Sequence, residues 1–307
     1  MATSYWPTAG KSCWPTRTYA RLTWVDNPAE HYQPIGIFDS GIGGLSVLRD
    51  IRARLPHEHL IYVADSGYAP YGHQSGAFIE QRSLAVAGFL VKRPVKALVV
   101  ACNTATAEAI ARLRQELTIP VIGMEPGLKP AAMVSKSRVI GVLATVGTLN
   151  SERFSALLAR STAGVEVLVQ PCPGLVEQIE AGEFDTPTTR QLVENYLTPL
   201  LRRGVDTLVL GCTHYPWVLP VISDLAGPAV RIVDTGPAVA SQLQRRLAEV
   251  GLLNQDVGLP GTEEFWTSGS VEHLRRLISR LWGRADGDDP QGLQQDCAPE
   301  GMLRRCG

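Results

Sequence analysis

The chain of 307 residues carries 29 Lys and Arg against 30 Asp and Glu, a formal charge of −1, which lacks the electrostatic footprint of a dedicated nucleic-acid or acidic-membrane binder. Hydrophobic residues make up 45% and charged residues 19%, the balance of a globular protein with a large core, and a length twice the soft prior of about 150 residues per domain points to one large or two medium domains. No run approaches the roughly 18 uninterrupted apolar residues of a membrane span, and residues 1–33 hold Lys11, Arg17, Arg21, Asp26 and Glu30 without an apolar signal region, so a cytoplasmic protein is expected.

Residues 1–33 carry Tyr5, Trp6, Trp14, Tyr19 and Trp24 without a sustained period and read as a poorly packed N-terminal extension. Short β-branched runs then alternate with longer amphipathic stretches. The runs are Ile35–Phe38, Leu60–Val63, Ala97–Ala101, Val121–Ile122, Val139–Leu143, Val165–Val169, Thr207–Leu210 and Val230–Val233. Intervening stretches such as 77–91 and 188–203 have helical apolar spacing. Near-continuous apolar runs of four or five residues suit strands buried on both faces, hence parallel sheets of a doubly wound α/β fold. Residues 283–307, rich in Gly, Gln and Asp, have little to bury and are expected to form a mobile tail.

An internal repeat divides the middle. Residues 35–41 (IGIFDSG) resemble 140–147 (IGVLATVG), and 99–104 (VVACNT) resemble 209–214 (VLGCTH). The separations agree, at 67 residues from Ile35 to Cys102 and 72 from Ile140 to Cys212. About twenty residues after each cysteine a third match follows, Val121-Ile122 and Ile232-Val233. Two similar α/β units, each ending a strand in a cysteine, are joined in one chain.

The six cysteines, at 13, 102, 172, 212, 297 and 306, form no C-x-x-C pair, which argues against a disulfide framework, a zinc ribbon or a redox pair. Cys172 reads as core filler, and Cys13, Cys297 and Cys306 as incidental. Cys102 and Cys212 are different, because ligands of open α/β sheets bind outside the carboxyl ends of the strands. Asn103-Thr104 and Thr213-His214 follow them directly. Helix N-terminal amides at such steps attract anions and lower a thiol's pKa. If the halves face one another, two thiols flank one anionic ligand. Inverting a stereocentre α to a carboxylate needs a base on one face and an acid on the other, and two thiols serve both directions. Asp39 stands ready to assist on the Cys102 side and His214 on the Cys212 side.

Residues 38–44 (FDSGIGG) are Gly-rich but lack the G-x-G-x-x-G spacing and the P-loop lysine. Lysines occur only at 11, 92, 96, 129 and 136, none in a recognisable phosphate-binding context, so neither pyridoxal phosphate nor any other cofactor or metal is expected. The Arg-rich stretches 49–54 and 275–284 read as solvated helix faces. A rival reading is a non-enzymatic, two-lobed dicarboxylate-binding protein, which would need no thiols.

These residues are similar to a known family. Residues 38–44, the Ala69-Pro70-Tyr71-Gly72 turn, 101–105 (ACNTA), 211–216 (GCTHYP) and 265–269 (FWTSG), in this order and spacing, resemble the glutamate racemases of the aspartate/glutamate racemase superfamily. The resemblance runs from about Pro34 to Leu281 and excludes both termini; the opening at residues 39–44 separates it from aspartate racemases, which stand as the neighbouring alternative. It implies a cofactor-independent racemisation of L- and D-glutamate that supplies peptidoglycan synthesis. Cys102 would take the α-proton of the D-enantiomer and Cys212 that of the L-enantiomer, assisted by Asp39 and His214. Substrate would be held by Asp39, Ser40, Tyr71, Gly72, Asn103, Thr104, Thr213 and His214, with hydroxyls from Thr145 and Thr148. Glu180 fits an additional acidic position, for which Glu177 and Glu183 also stand close in sequence. The resemblance further implies two α/β domains related by pseudo-two-fold symmetry, with the active site in the cleft between them. The second is inserted within the first: 34–126 plus 234–282 carrying Cys102, and 127–233 carrying Cys212. It also implies a glutamate-sized small-molecule partner, no nucleic-acid or membrane partner, and a homodimer.

Overall fold

The computed structural model describes residues 28–254, 256, 258–282 and 304–306. The expectations for residues 1–27 and 283–303, with Cys13 and Cys297, lie outside these. A first group of elements comprises α1 (Pro28–His31), β1 (Ile35–Asp39), α2 (Leu45–Arg54), β2 (Leu60–Ala64), α3 (Gly76–Val91), β3 (Ala97–Val100), α4 (Asn103–Glu116) and β4 (Val121–Ile122). The second comprises α5 (Leu128–Val134), β5 (Val139–Ala144), α6 (Val146–Asn150), α7 (Glu152–Ser161), β6 (Glu166–Pro171), α8 (Leu175–Glu180), α9 (Pro187–Arg202), β7 (Thr207–Gly211), α10 (Leu219–Ala226) and β8 (Arg231–Val233). The chain then continues through α11 (Gly236–Glu249), β9 (Glu263–Thr267), α12 (Val271–Trp282) and β10 (Arg304–Cys306).

Two sheets result. One has the order β10-β9-β2-β1-β3-β4 and the other β6-β5-β7-β8. Within them β2-β1-β3-β4 and β6-β5-β7-β8 are the same parallel arrangement, built in the same chain order. The repeat read from Ile35 and Ile140 is thus a repeat of topology: each residue sits on the central strand of its sheet, beside the strand that ends in a cysteine. β1, β2, β3 and β7 are buried along their whole length, and their side chains alternate between two cores. Leu60, Tyr62, Ala97 and Val99 join Leu208 and Leu210 in a cluster continuous between the two units. Ile61, Val63, Leu98 and Val100 fill the other face of the first sheet, and Ile140, Val142 and Val209 that of the second. Among the described residues no helix is long and apolar enough to cross a membrane.

Local chemistry explains where helices begin. Ser75, Thr145, Ser151 and Thr186 each accept a backbone N–H three residues on, capping α3, α6, α7 and α9. Two expectations change. Residues 304–306, expected to belong to a mobile tail, instead pair as β10 antiparallel to the outer edge of β9, which itself runs parallel to β2. The arginine stretches are not simply solvated: Arg52 Nε donates to Glu263 Oε1 at 2.6 Å, joining α2 to β9, and Arg49 lies over the Trp217 ring at 5.1 Å.

Where α2 packs on α11, the Asp50 carboxyl is pushed up to about 6, first by burial and then by Asp234, against a smaller pull from Arg49. The fold therefore favours the protonated acid, and that contribution is complete below the ordinary value of 3.8 and lost as pH rises through about 6. Asp50→Asn is expected to raise the thermal midpoint at pH 7.5 by about 2–4 °C, the equivalent of about 1 kcal/mol once solvent screening of a half-exposed group is allowed for. At pH 4 the gain should vanish. Calorimetry at the two pH values checks the sign.

Candidate active site

β1 delivers Asp39 to the start of a tight loop, residues 40–44, that leads into α2. The fully buried Asp39 carboxylate accepts from the Gly44 N–H at 2.7 Å and from the Ser40 hydroxyl at 3.3 Å. Burial raises its pKa, opposed chiefly by the charge of His214. The loop's glycines are spatial requirements. A Cβ on Gly41 would lie 1.8 Å from Glu180 Oε1, and one on Gly43 would lie 2.4 Å from His214 Nδ1. Bare backbone lets two side chains of the second unit close onto the first. Gly43→Ala is expected to push His214 aside and lower turnover by about 100-fold, as ångström-scale misplacement of catalytic groups does, without loss of folded secondary structure by circular dichroism.

β3 ends at Val100, and Cys102 caps α4: its Sγ accepts the Ala105 N–H at 3.4 Å. The same sulfur stands 3.7 Å from Ser40 Oγ. Burial, followed by the Asp39 charge and with a smaller contribution from Cys212, pushes this thiol above its ordinary range, so it holds its proton in the ligand-free protein. Asn103 is buried with neither amide atom bonded among the described residues, a costly arrangement unless a ligand completes it. Thr104 Oγ1 lies 3.0 Å from Thr145 Oγ1 and 3.1 Å from Thr148 Oγ1, and the latter two are 3.0 Å apart. This triangle of hydroxyls bridges the two units.

On the other side β7 ends at Gly211 and Cys212 follows. Cys212 Sγ is 3.6 Å from His214 Nδ1, and His214 Nε2 is 2.6 Å from Glu180 Oε1. That carboxylate oxygen also accepts the Ile42 N–H at 2.7 Å. A carboxylate only accepts, so Nε2 carries a hydrogen, and Nδ1 is left to exchange a proton with the sulfur. Burial is the largest influence on His214 and lowers its pKa, but bonding and charge from Cys212 and Glu180 outweigh it and hold the imidazole well above its ordinary value. The two sides are stitched together by Ser46 Oγ, which bonds to both the Gly43 and Thr213 carbonyls at 2.8 and 3.0 Å. Thr213 Oγ1 faces Asp39 Oδ2 at 3.5 Å.

Tyr71 donates its hydroxyl to Asp65, which also receives two bonds from Arg82, at 2.7 and 3.0 Å. The adjoining Gly72 packs against Thr145 and Gly147, which brings the 69–72 turn to the hydroxyl triangle. All the site residues expected from sequence therefore gather between the carboxyl ends of the two sheets. Of the three acids left open, Glu180 reaches the centre. Glu177 pairs instead with the exposed His73, and Glu183 lines a separate cavity. Sequence reasoning missed Ser46, Arg82, Tyr62, whose hydroxyl holds the Gly41 carbonyl at 2.7 Å, and Trp217, whose indole N–H reaches the Gly43 carbonyl at 3.3 Å. Only the Gly-rich loop itself signalled that partners would crowd it.

The arrangement presents two thiols at equivalent strand ends. One caps a helix and faces a hydroxyl, the other is coupled to an imidazole and a carboxylate, and the Asn103 amide lies nearby without a partner among the described residues. The family model for Asp/Glu/Hydantoin racemase matches residues 36–243. The glutamate racemase of Methylococcus capsulatus is 59% identical over 249 residues, covering 81% of this chain and 92% of that protein. The crystal structure of glutamate racemase isoform RacE1 from Bacillus anthracis superposes with a TM-score of 0.75 at 36% identity, covering 83% of this chain and 95% of that one. The Francisella tularensis glutamate racemase in complex with D-glutamate gives 0.72 at 30% identity, with coverage of 83% and 95%. With identity this high across nearly the whole length of its relatives, the chain belongs to the glutamate racemases of the Asp/Glu/hydantoin racemase family.

Proposed function

We propose that Cys102 and Cys212 carry the racemisation of glutamate as paired acid and base, without a cofactor, and that the product D-glutamate serves peptidoglycan synthesis. In the L-to-D direction the proton shared by Cys212 and His214 rests on Nδ1, leaving a thiolate beside an imidazolium that Glu180 stabilises. The thiolate removes the α-proton of L-glutamate, so a C–H bond breaks and an S–H bond forms. The Cys102 thiol gives its proton to the opposite face of the α-carbon, completing D-glutamate and leaving the Cys102 thiolate. The D-to-L direction reverses each step, and solvent exchange of the two sulfurs restores the starting state between turnovers. The Asn103 amide and the hydroxyls of Ser40, Thr104, Thr145, Thr148 and Thr213 would bind the substrate's polar groups, with Tyr71 and Gly72 closing one side and Asp39 holding the loop and steering the proton near Cys102.

The observation that carries this reading is the Cys212–His214–Glu180 chain set against Cys102 at the equivalent strand end, 3.7 Å from Ser40 Oγ, where burial pushes the thiol's pKa up. One thiol is poised to accept a proton and the other to donate one. The Francisella structure, which holds D-glutamate, supports a ligand of that size. The domain limits 34–126 plus 234–282 and 127–233, a cytoplasmic location and a homodimer belong to the same proposal. Incubating the purified protein with L-glutamate without added cofactor tests it. Circular dichroism should decay to zero, since enantiomers are isoenergetic in water. Persistent optical activity with tight glutamate binding would favour a binding protein instead.

A further inference from the structure

We propose that His273, outside the reacting site, is a positioning residue that sets Glu180, and through it His214, for proton transfer at Cys212; the inference rests on the two-thiol reading above. Glu180 is the last residue of α8. Backbone carbonyls at a helix end have no partner within the helix and must find one elsewhere. Here α12 supplies two. His273 Nε2 meets the Glu180 carbonyl at 2.6 Å, and Arg280 Nη1 donates to the Gly182 carbonyl at 2.7 Å.

Residues 273, 277 and 280 share one helix face, and all three dock on this short segment. Between the two hydrogen bonds Leu277 packs against Gly182, where a Cβ would stand 3.0 Å from Leu277 Cδ2. The Arg280 guanidinium also lies over the Phe184 ring, 4.5 Å from its centre. The histidine is held in one tautomer. Arg276 Nη2, which only donates, faces His273 Nδ1 at 3.4 Å, so Nδ1 accepts and Nε2 carries the hydrogen given to the carbonyl.

The contact crosses the site's two halves. α12 packs on β9 and α2 of the first sheet's unit, whereas α8 follows β6 of the second. Glu180 must place a single oxygen between the Ile42 N–H and His214 Nε2, so a small shift of its backbone costs one bond or the other. Room for such a shift exists. A cavity of about 360 Å³ lies beside the segment, lined by residues 181–186 with His273, Arg276, Leu277 and Arg280. Without the His273 bond, the end of α8 can relax into that space.

The test compares His273→Leu, which fills the volume and cannot donate, with His273→Gln, whose amide can donate to the same carbonyl. Because the equilibrium constant is one, kcat/KM must fall equally in both directions. His273→Leu is expected to lower it about 10-fold, the lower end of the loss seen when a supporting hydrogen bond behind a functional group is removed. The isotope effect distinguishes positioning from general damage. With α-deuterated L-glutamate, whose deuteron goes to Cys212, it should rise. With α-deuterated D-glutamate, whose deuteron goes to Cys102, it should fall toward one. His273→Gln should restore most of the rate.

Unchanged kinetics in His273→Leu overturn the proposal, as does an equal loss in both variants accompanied by a lowered thermal midpoint. Glu180→Gln run in parallel separates the two levels. If that variant is crippled while His273→Leu is not, only this inference fails; if it is fully active, the Glu180–His214 reading fails with it.

Discussion

Cys102→Ser and Cys212→Ser are each expected to lower kcat/KM by about 10³-fold or more, the scale of losing a positioned general acid or base, while glutamate affinity stays within a few-fold. A serine hydroxyl is far too weak an acid to exist as the base near neutral pH, and it resists donating a proton to a carbanion. Its smaller oxygen also leaves the Ala105 N–H, now capped by Cys102 Sγ, with a more distant partner. The two variants should differ in which enantiomer they still recognise chemically. Cys102→Ser keeps the Cys212–His214–Glu180 chain, so it should wash solvent deuterium into L-glutamate without inverting it. Cys212→Ser should do the same to D-glutamate. Following α-deuterium by NMR alongside optical activity checks both halves. Loss of binding in either variant would instead assign the thiols a structural part.

Glu180→Gln is expected to cost about 10²-fold in kcat/KM, equally in both directions, since it removes the charge that stabilises the His214 imidazolium while leaving an oxygen able to accept from Nε2. A pH signature accompanies it. His214 is held above its ordinary value of 6.5 by Cys212 and Glu180 against burial. A raised histidine contributes stability that is complete below the unfolded value and lost as pH rises through the folded one. The thermal midpoint of the original chain should therefore exceed that of Glu180→Gln most at pH 6, and the gap should narrow as pH rises. The activity of the variant should also fall away at lower pH on the basic side, because its imidazolium surrenders the proton sooner.

Much of this architecture is legible from local pattern alone. Strands such as 60–64 and 97–100 are buried on both faces, so their sequences are continuous apolar runs, and the parallel sheets follow. The paired cysteines were recognisable because the same strand–cysteine–polar step recurs at matched spacing, and each lies at a carboxyl strand end. β9 was not legible. Only Phe265 and Thr267 are buried in it, and its place comes from a parallel ladder with β2, some 200 residues earlier, beside which Arg52 grips Glu263. Sequence resemblance pointed to Glu180 but could not separate it from Glu177 and Glu183 on physical grounds. All three lie within or just past α8, and only the approach of the 40–44 loop, 138 residues earlier, and of His214, 34 residues later, selects one. The glycines at 41 and 43 announced a tight loop, but their reason, room for Glu180 and His214, exists only in three dimensions.

The central claim is that two different groups, on opposite faces of the α-carbon, take and return the proton. Its most direct measurement is the early course of L-glutamate racemisation in deuterated water, with the residual substrate and the new product examined separately for α-deuterium. Two thiols that exchange with solvent predict that the first D-glutamate formed carries one α-deuterium per molecule while the remaining L-glutamate stays protiated. D-glutamate that keeps its original α-proton, or deuterium appearing equally in both pools from the start, would mean a single base serves both faces and would contradict the account.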